Sequence, residues 1–475
     1  MGTDDGGRDP GGERRRLENI AAAERAVRRC RRRHLVTDYL PGQVTYNLGE
    51  YPASSPWTVG DDDERLLDEY AAAGIPLVQL HEEWNDAERL FGADKFTPVN
   101  PEGLRSFISM AHARGMRVLL YGSTGFFEER DPEFRKEWAR AGTSLVELWY
   151  RYARCSPASP SWRAYVLPRL LGLMDRWGAD GIYDDCGYVR EAWKLPATPE
   201  EVEAFPETPE RDGALEDLLG LLAAEVHRRS GILKVHLGES DAPRSDLRLY
   251  DYLWVGEGVS DLDRQRKASR DLAPYVVPCF DFSQARPSSE DELYLHTIPY
   301  LQFPLLVGGK PATGERVRVP GMPCLDPSED HWTRHWLAIY RHWREHPEGP
   351  HSYGPWDATP GRPHAKERCF HWLHLYRPMV EEGTRAYLEI ADSSLFRRPP
   401  GGDLVATLYA NRELWLVLAN YGRRTTTAVT REAWVRCGGG GERAGDAGAS
   451  TVWTVPARSL LILRRVRQES VRTIR

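Results

Sequence analysis

From about residue 71 onward, the chain alternates short apolar runs with stretches of helical periodicity. Residues 75–80 have the sequence IPLVQL, an apolar run of strand length, and residues 101–114 carry an apolar stripe at helical spacing that ends at Gly115. Repeats of this pattern predict eight strands, at residues 75–80, 117–121, 145–150, 181–185, 233–237, 252–255, 275–280 and 303–307. Strands that alternate with helices are typical of right-handed β-α-β units around a parallel sheet.

Eight such units over about 250 residues have the size of a (β/α)8 barrel. A doubly wound open sheet is the alternative, and it would need a glycine-rich phosphate-binding turn after its first strand. The residues that follow the first predicted strand are His81, Glu82, Glu83 and Trp84 instead. The sequence therefore predicts an α/β protein of the (β/α)8 TIM barrel type.

After Arg377 the pattern changes to short segments with a period of two. Residues 403–409, 413–420 and 459–464 have this pattern, with Asn-Arg and Tyr-Gly turns nearby. They predict a small antiparallel β-sandwich that follows the barrel. The predicted boundaries are a disordered tail at 1–15, an N-terminal extension packing on the barrel at 16–70, the barrel at 71–383, the sandwich at 384–466 and a tail at 467–475.

Charge and hydropathy exclude several classes of protein. The chain has 63 Lys and Arg against 70 Asp and Glu, so its formal net charge is −7 and no overall basic field attracts nucleic acid. No run of about 18 apolar residues predicts a membrane span, and the N-terminus lacks the apolar core of a signal peptide. We therefore expect a cytoplasmic protein without nucleic-acid or membrane partners. Its oligomeric state is open.

Cysteine and histidine spacing does not favour a metal site. The seven cysteines lie far apart without a Cys-x-x-Cys pair, which is typical of reduced thiols. The histidine pairs 331–335, 342–346 and 371–374 have helical spacing but lie outside the predicted strand ends. We predict neither a metal nor a cofactor. Five arginines between residues 28 and 33 form a basic run, which we interpret as a solvated helix end packing on acidic loops.

Carboxylates recur at the ends of the predicted strands, where the catalytic groups of a barrel lie. The acidic residues at or just after these ends include Asp184, Asp185, Glu239, Glu257 and Asp281. We expect at least three of these five to line one cleft and at least one to titrate above a normal carboxyl value, because like charges held together raise pKa values.

Residues 177–186 (WGADGIYDDC) resemble the fourth-strand motif of sugar-cleaving barrels, the α-amylase and α-galactosidase groups. The resemblance implies that Asp185 is the catalytic nucleophile. It places Tyr183 at an inward-facing position where those enzymes often have Arg or Lys. The barrel followed by a β-sandwich is similar to the same groups. His81 to Trp84, followed by a long helix, also resembles uncharacterised glycosidase-like barrels related to β-N-acetylgalactosaminidases. Together these resemblances cover roughly residues 70 to 465.

A glycosidase of the usual type needs two carboxyl groups across the scissile bond, about 5–5.5 Å apart for retention. The resemblance places the acid/base one strand on in the amylase group and two strands on in the galactosidase group. We favour Glu257 as the acid/base, because Gly256 and Gly258 allow close approach and Trp254 offers a stacking face. Glu239 is the alternative. The residues expected to bind substrate are His81, Trp84, Tyr121, Tyr183, His236, Trp254 and Asp281.

Two alternatives to a two-carboxylate glycosidase remain open. In a substrate-assisted N-acetylhexosaminidase, Asp184 and Asp185 would orient the acetamido group and act as the general acid. Period two argues that the two side chains leave opposite faces of the strand, with Asp184 capping the next segment. A non-catalytic carbohydrate-binding barrel is the second alternative. The sequence thus predicts a glycoside hydrolase whose partner is a carbohydrate.

Overall fold

The computed structural model describes residues 9–48, 57–81, 84, 96–129, 131–139, 145–147, 150–186, 213–237, 249–255, 261–272, 275–278, 289, 291–310, 365–438 and 448–466. The chain forms two compact units that interleave along the sequence. One comprises residues 42–286 and 304–366, and the other comprises residues 1–41, 287–303 and 367–475. These units differ from the predicted boundaries at residues 71 and 384.

The described strands are numbered in chain order. They are β1 (Val27–Leu35), β2 (Gln43–Asn47), β3 (Leu77–Leu80), β4 (Arg117–Gly122), β5 (Phe126–Glu128), β6 (Leu145–Glu147), β7 (Tyr150–Arg154), β8 (Gly181–Asp185), β9 (Ile232–His236), β10 (Tyr252–Val255), β11 (Val276–Pro278), β12 (Leu306–Gly309), β13 (Arg385–Ser393), β14 (Leu404–Ala410), β15 (Leu414–Asn420), β16 (Thr426–Cys437), β17 (Ser450–Val455) and β18 (Ser459–Arg465).

The described α-helices are α1 (Pro10–Ala26), α2 (Asp61–Ala73), α3 (Pro101–Ala113), α4 (Pro160–Trp177), α5 (Gly213–Arg228), α6 (Leu262–Ser269), α7 (Glu292–Thr297) and α8 (Ala365–Tyr376). Short 3-10 helices lie at Lys136–Trp138, Ile298–Tyr300 and Arg377–Met379. Within the described ranges, none of the helices combines the length and the apolar character that crossing a membrane requires.

Helix α3 shows how the local sequence sets an element. The Asn100 side chain accepts a hydrogen bond from the Gly103 N–H at 2.9 Å, and Pro101 opens the first turn. The predicted apolar stripe is buried, namely Leu104, Phe107, Ile108 and Ala111. Gly115, with φ +70°, follows the end of the helix in a conformation that favours glycine.

Eight parallel strands form one sheet in the order β11-β10-β9-β8-β4-β3-β2-β12. Neighbouring strands follow one another along the chain, and the last strand, β12, pairs in parallel with the first, β2. Among the described residues no ladder joins β11 to β12. The Lys234 ammonium donates to Gln43 Oε1 at 3.0 Å, so a bond joins β9 to β2 although these strands are not neighbours. The sheet is therefore curled around a buried interior, as in a (β/α)8 barrel.

Two strand assignments from the sequence need correction. The prediction of a barrel strand at residues 145–150 is wrong, because β6 and β7 form an antiparallel hairpin that joins β5 in a separate three-stranded sheet. The first barrel strand is instead β2, which the sequence analysis missed. Its residues Gln43 and Thr45 are buried polar side chains that bond within the barrel, so the strand lacks an apolar run. Since one strand is added before β8 and one is removed, β8 is still the fourth barrel strand, as predicted.

The other unit contains a seven-stranded antiparallel sheet in the order β1-β13-β14-β15-β18-β16-β17. The predicted antiparallel architecture after residue 384 is confirmed. Its core joins side chains from six C-terminal strands, such as Leu416 and Trp434, with Ala23 and Val27 from the N-terminal segment. Residues 16–70, expected to form an extension on the barrel, thus contain most of α1, strand β1 of this sheet, strand β2 of the barrel sheet and most of α2.

The arginine run lies in β1, at the edge of this sheet, and not at a helix end. Most of its side chains alternate between exposed and half-buried positions, as a strand requires. Arg31 lies 3.5 Å from Glu389 on β13. Charged side chains on an edge strand disfavour pairing with other chains, which gives this basic run a structural role.

Candidate active site

Strand β8 places two side chains inside the barrel at its carboxyl end. The strand starts at Gly181, where an added Cβ would lie 2.0 Å from the Ile232 carbonyl oxygen of β9, so only glycine permits this approach of the two strands. Side chains then alternate between the two faces. Tyr183 and Asp185 share the inner face, while Ile182 and Asp184 point the other way.

Asp185 is the inward-facing carboxylate at the end of the fourth barrel strand. Its side chain is 20% exposed, so a ligand can reach it. The Tyr121 hydroxyl donates to Asp185 Oδ2 at 3.0 Å. His236 Nδ1 lies 3.6 Å from Asp185 Oδ1 and 3.2 Å from the Tyr183 hydroxyl. These contacts orient the carboxylate and leave part of its surface exposed.

Five aromatic rings adjoin one another beside this carboxylate, those of His81, Tyr121, Tyr183, His236 and Trp254. The closest pair is Tyr183 and Trp254, with centroids 4.9 Å apart. His236 stacks on Trp254 at 5.0 Å and 25°. The five come from different parts of the chain and were all singled out from the sequence.

Trp84 contacts the backbone of one member of this group, Tyr121. Its side chain is fully buried, and its indole N–H donates to the Tyr121 carbonyl oxygen at 3.2 Å. This bond supports the backbone of Tyr121. The predicted contact of Trp84 with substrate stays a prediction.

Asp184 has a different environment from its neighbour. It is fully buried and accepts hydrogen bonds from the Thr124 N–H at 2.7 Å and the Thr124 hydroxyl at 2.8 Å. The Cys186 thiol donates to it at 3.4 Å. Desolvation raises the pKa of Asp184 to about 7, against the opposing effect of these hydrogen bonds. The hydrogen bonds of Asp184 thus hold the loop after β4 against the end of β8.

Of the five carboxylates expected to form an acidic cleft, the structure describes two. Glu239, Glu257 and Asp281 lie outside the described residues, so only Asp184 and Asp185 can be placed. Asp184 has the raised pKa that the sequence analysis expected of one carboxyl. The main cause is burial, and the charge of Asp185 contributes least among the causes.

The polar residues inside the barrel were not predicted from the sequence. Lys234 lies between apolar residues of β9 and is fully buried, and its ammonium is 5.3 Å from the Trp254 ring centroid and 5.9 Å from that of Tyr183. A lysine inside an apolar strand was the available signal. Across the described ranges, no cluster of three or more His, Cys, Asp or Glu residues is arranged to hold a metal ion.

Comparison with known proteins identifies the fold. No family model and no curated protein sequence match the chain. Among solved structures, trehalulose synthase MutB from Pseudomonas mesoacidophila is 12% identical over 89% of this chain and 98% of its own, with a TM-score of 0.53. The α-amylase of Geobacillus thermoleovorans, solved with acarbose, is 10% identical over 90% and 99%, with a TM-score of 0.52. This chain has an α-amylase-like fold.

A noncanonic maltogenic α-amylase, AmyB from Thermotoga neapolitana, matches at 11% identity over 90% of this chain and 99% of its own, with a TM-score of 0.50. The resemblance to TIM-barrel glycoside hydrolases that the sequence predicted is therefore confirmed for the fold. In this α-amylase-like fold, Asp185 stands at the carboxyl end of the fourth strand of the barrel.

Proposed function

We propose that this protein is a glycoside hydrolase and that Asp185 is one of its two catalytic carboxylates. The observation that carries the proposal is the setting of Asp185. It is a partly exposed carboxylate at the carboxyl end of a barrel strand, held by Tyr121 and flanked by aromatic rings. Active sites of such barrels lie at this end of the strands. The surroundings of Asp185 thus support the role that the sequence suggested for it.

Asp185 acts in this proposal as the nucleophile or as the group that stabilises the oxocarbenium-like transition state. As a nucleophile, its oxygen bonds to the anomeric carbon while the glycosidic C–O bond breaks. A second carboxylic acid protonates the leaving oxygen and then deprotonates the incoming water. We propose Glu257 for that role and Glu239 as the alternative, because they follow the two strands after β8.

The proposed substrate is an oligosaccharide or small glycoside. Aromatic rings offer flat apolar faces that stack on the C–H faces of sugars, while the Tyr and His polar atoms bond hydroxyls. Trehalulose synthase and the α-amylase solved with acarbose, both similar in fold, favour a carbohydrate ligand. His81, Tyr121, Tyr183, His236, Trp254 and Asp281 are the proposed binding residues.

The substrate-assisted alternative receives less support. It needs Asp184 and Asp185 together at the substrate, but Asp184 is fully buried and Thr124 occupies both of its oxygens. A barrel that binds carbohydrate without cleaving it would use the same rings. Activity measurements separate that alternative from the proposed hydrolase.

Hydrolysis of a panel of aryl glycosides tests the proposal. We expect the wild-type protein to release the aryl group from at least one member, and Glu257→Gln to lower kcat by about 10²-fold or more, as loss of a general acid typically does. Glu239→Gln is the matched variant, and the larger loss identifies the acid/base. Binding of sugars without turnover of any glycoside would favour the non-catalytic barrel. Full activity in both variants would contradict the assignment of the acid/base to Glu257 or Glu239.

A further inference from the structure

A buried serine holds the main chain of Asp185 at the end of β8. The ladder between β4 and β8 ends at the pair Gly122 and Asp184, so Ser123 and Asp185 follow just beyond it. The Ser123 hydroxyl oxygen lies 2.6 Å from the carbonyl oxygen of Asp185, and Ser123 is 1% exposed. A side-chain hydrogen bond thus continues the link between the two strands where the ladder stops.

The direction of this hydrogen bond follows from the other partners of Ser123. The N–H groups of Gly125 and Phe126 donate to its oxygen at 3.1 and 2.9 Å. A serine hydroxyl has one proton and two lone pairs. Because the two N–H groups occupy the lone pairs, the proton points to the carbonyl oxygen of Asp185. Ser123 therefore uses its whole hydrogen-bonding capacity to tie the loop after β4 to the backbone of Asp185.

A second group from the same part of the chain holds the Asp185 side chain. The Tyr121 hydroxyl donates to Asp185 Oδ2 at 3.0 Å. Tyr121 and Ser123 thus bond the carboxylate and the carbonyl group of one residue. Only two torsions separate an aspartate carboxylate from its backbone, and χ1 is restricted to staggered values. A displaced backbone therefore carries the carboxylate with it, away from Tyr121.

We propose that Ser123 is a positioning residue, which places the Asp185 carboxylate against the anomeric carbon of a bound glycoside by fixing the Asp185 backbone. The inference rests on the proposed function, in which Asp185 is the nucleophile or stabilises the positive charge. Such a role depends on placement, since a displacement of about 1 Å can lower a rate about 10²-fold. The effect passes through Asp185, so Ser123 requires no contact with the substrate.

NMR tests the placement of Asp185 without requiring activity. Wild type labelled with 13C-aspartate is compared with Ser123→Ala, and the Asp185 signals are assigned by their loss in Asp185→Asn. We expect Ser123→Ala to shift both the carbonyl and the carboxyl signal of Asp185, because the carboxylate moves away from Tyr121. Thr124→Val is the matched control. It removes a buried hydroxyl from the same loop, but that hydroxyl bonds Asp184, so the Asp185 carboxyl signal should stay in place.

Kinetics measure what this placement contributes to the reaction. On the aryl glycoside that wild type cleaves best, we expect Ser123→Ala to lower kcat by about tenfold or more. KM should change little, because the rings proposed to bind the sugar are untouched. Thr124→Val should keep most of its kcat. A kcat of Ser123→Ala equal to that of wild type would overturn the proposal.

A second variant covers the case in which Ser123→Ala does not fold. Cysteine is similar to serine in size and its thiol is a weak donor, so Ser123→Cys should shift the Asp185 carboxyl signal in the same direction by less. An unchanged carboxyl signal in the folded variants would overturn the proposal. An equal shift in Thr124→Val would also overturn it, since any disturbance of the loop would then suffice. If the expected shifts appear but wild type cleaves no glycoside, the proposed hydrolase fails and the placement of Asp185 by Ser123 stands.

Discussion

Asp184 and Asp185 are adjacent on β8, but their side chains lie on opposite faces of the strand and therefore have different surroundings. Period two turns Asp185 into the barrel and Asp184 out of it, and this much could be predicted from the sequence. The partners of Asp184 could not, because Thr124 and its loop lie far away in the chain. The raised pKa of Asp184 follows from burial, which sequence alone shows only as a tendency.

The pH dependence of stability should report the burial of Asp184. Its folded-state pKa of about 7 exceeds the unfolded value near 3.9, so the native state binds more protons between these pH values. Stability is therefore lost as pH rises from about 4 to about 7 and is level above that. We expect the free energy of unfolding in urea to fall from pH 5 to pH 8 more steeply in wild type than in Asp184→Asn.

Asn at position 184 still accepts the Thr124 N–H bond, so the variant is a local change. Each unit by which the two pKa values differ corresponds to about 1.4 kcal/mol. Parallel pH profiles of wild type and variant would contradict a raised pKa at this position.

Strands were predicted well where their sequences are apolar and poorly where they are not. The runs at 117–121, 181–185 and 252–255 lie in β4, β8 and β10. β2 was not predicted, because Gln43 and Thr45 are polar side chains that bond inside the barrel. β6 and β7 were wrongly assigned to the barrel, because the apolar pattern of a strand does not distinguish an antiparallel hairpin from a parallel ladder. Glu239 and Glu257 were proposed from strand ends, and their roles remain predictions.

Close packing of β8 against β9 gives a prediction for Gly181→Ala. The added Cβ would meet the Ile232 carbonyl oxygen at 2.0 Å, which forces the two strands apart. We expect a loss of about 3 kcal/mol in the free energy of unfolding, at the upper end of overpacking effects. Gly172→Ala is the matched control, because Gly172 lies within helix α4 with nothing near an added Cβ.

The control should gain about 0.5–1 kcal/mol, since alanine is favoured over glycine in helices. Denaturant titration measures both variants. A Gly181→Ala protein as stable as wild type would contradict the described approach of the two strands.

At the scale of the whole molecule, the sequence predicted the two types of sheet, but it did not predict which segments of the chain pair with each other. A barrel and an antiparallel β-unit both follow from periodicity. The N-terminal segment that pairs as β1 with β13 does not, because no local pattern identifies a partner at the other end of the chain. Ala23 and Val27 belong to the core of that second unit. Residue spacing therefore predicts elements and their type, while long-range pairing needs the structure.

We propose Asp185, and not its neighbour Asp184, as a catalytic carboxylate of a glycoside hydrolase. The decisive experiment compares kcat/KM of Asp185→Asn and Asp184→Asn on the aryl glycoside that wild type cleaves best, with folding of both checked by circular dichroism. We expect a loss of about 10²-fold or more for Asp185→Asn, since the covalent or charge-stabilising group is removed. We expect a loss of less than about tenfold for Asp184→Asn, which alters only the support of a loop. Activity that survives in Asp185→Asn, or an equal loss in both variants, would contradict it.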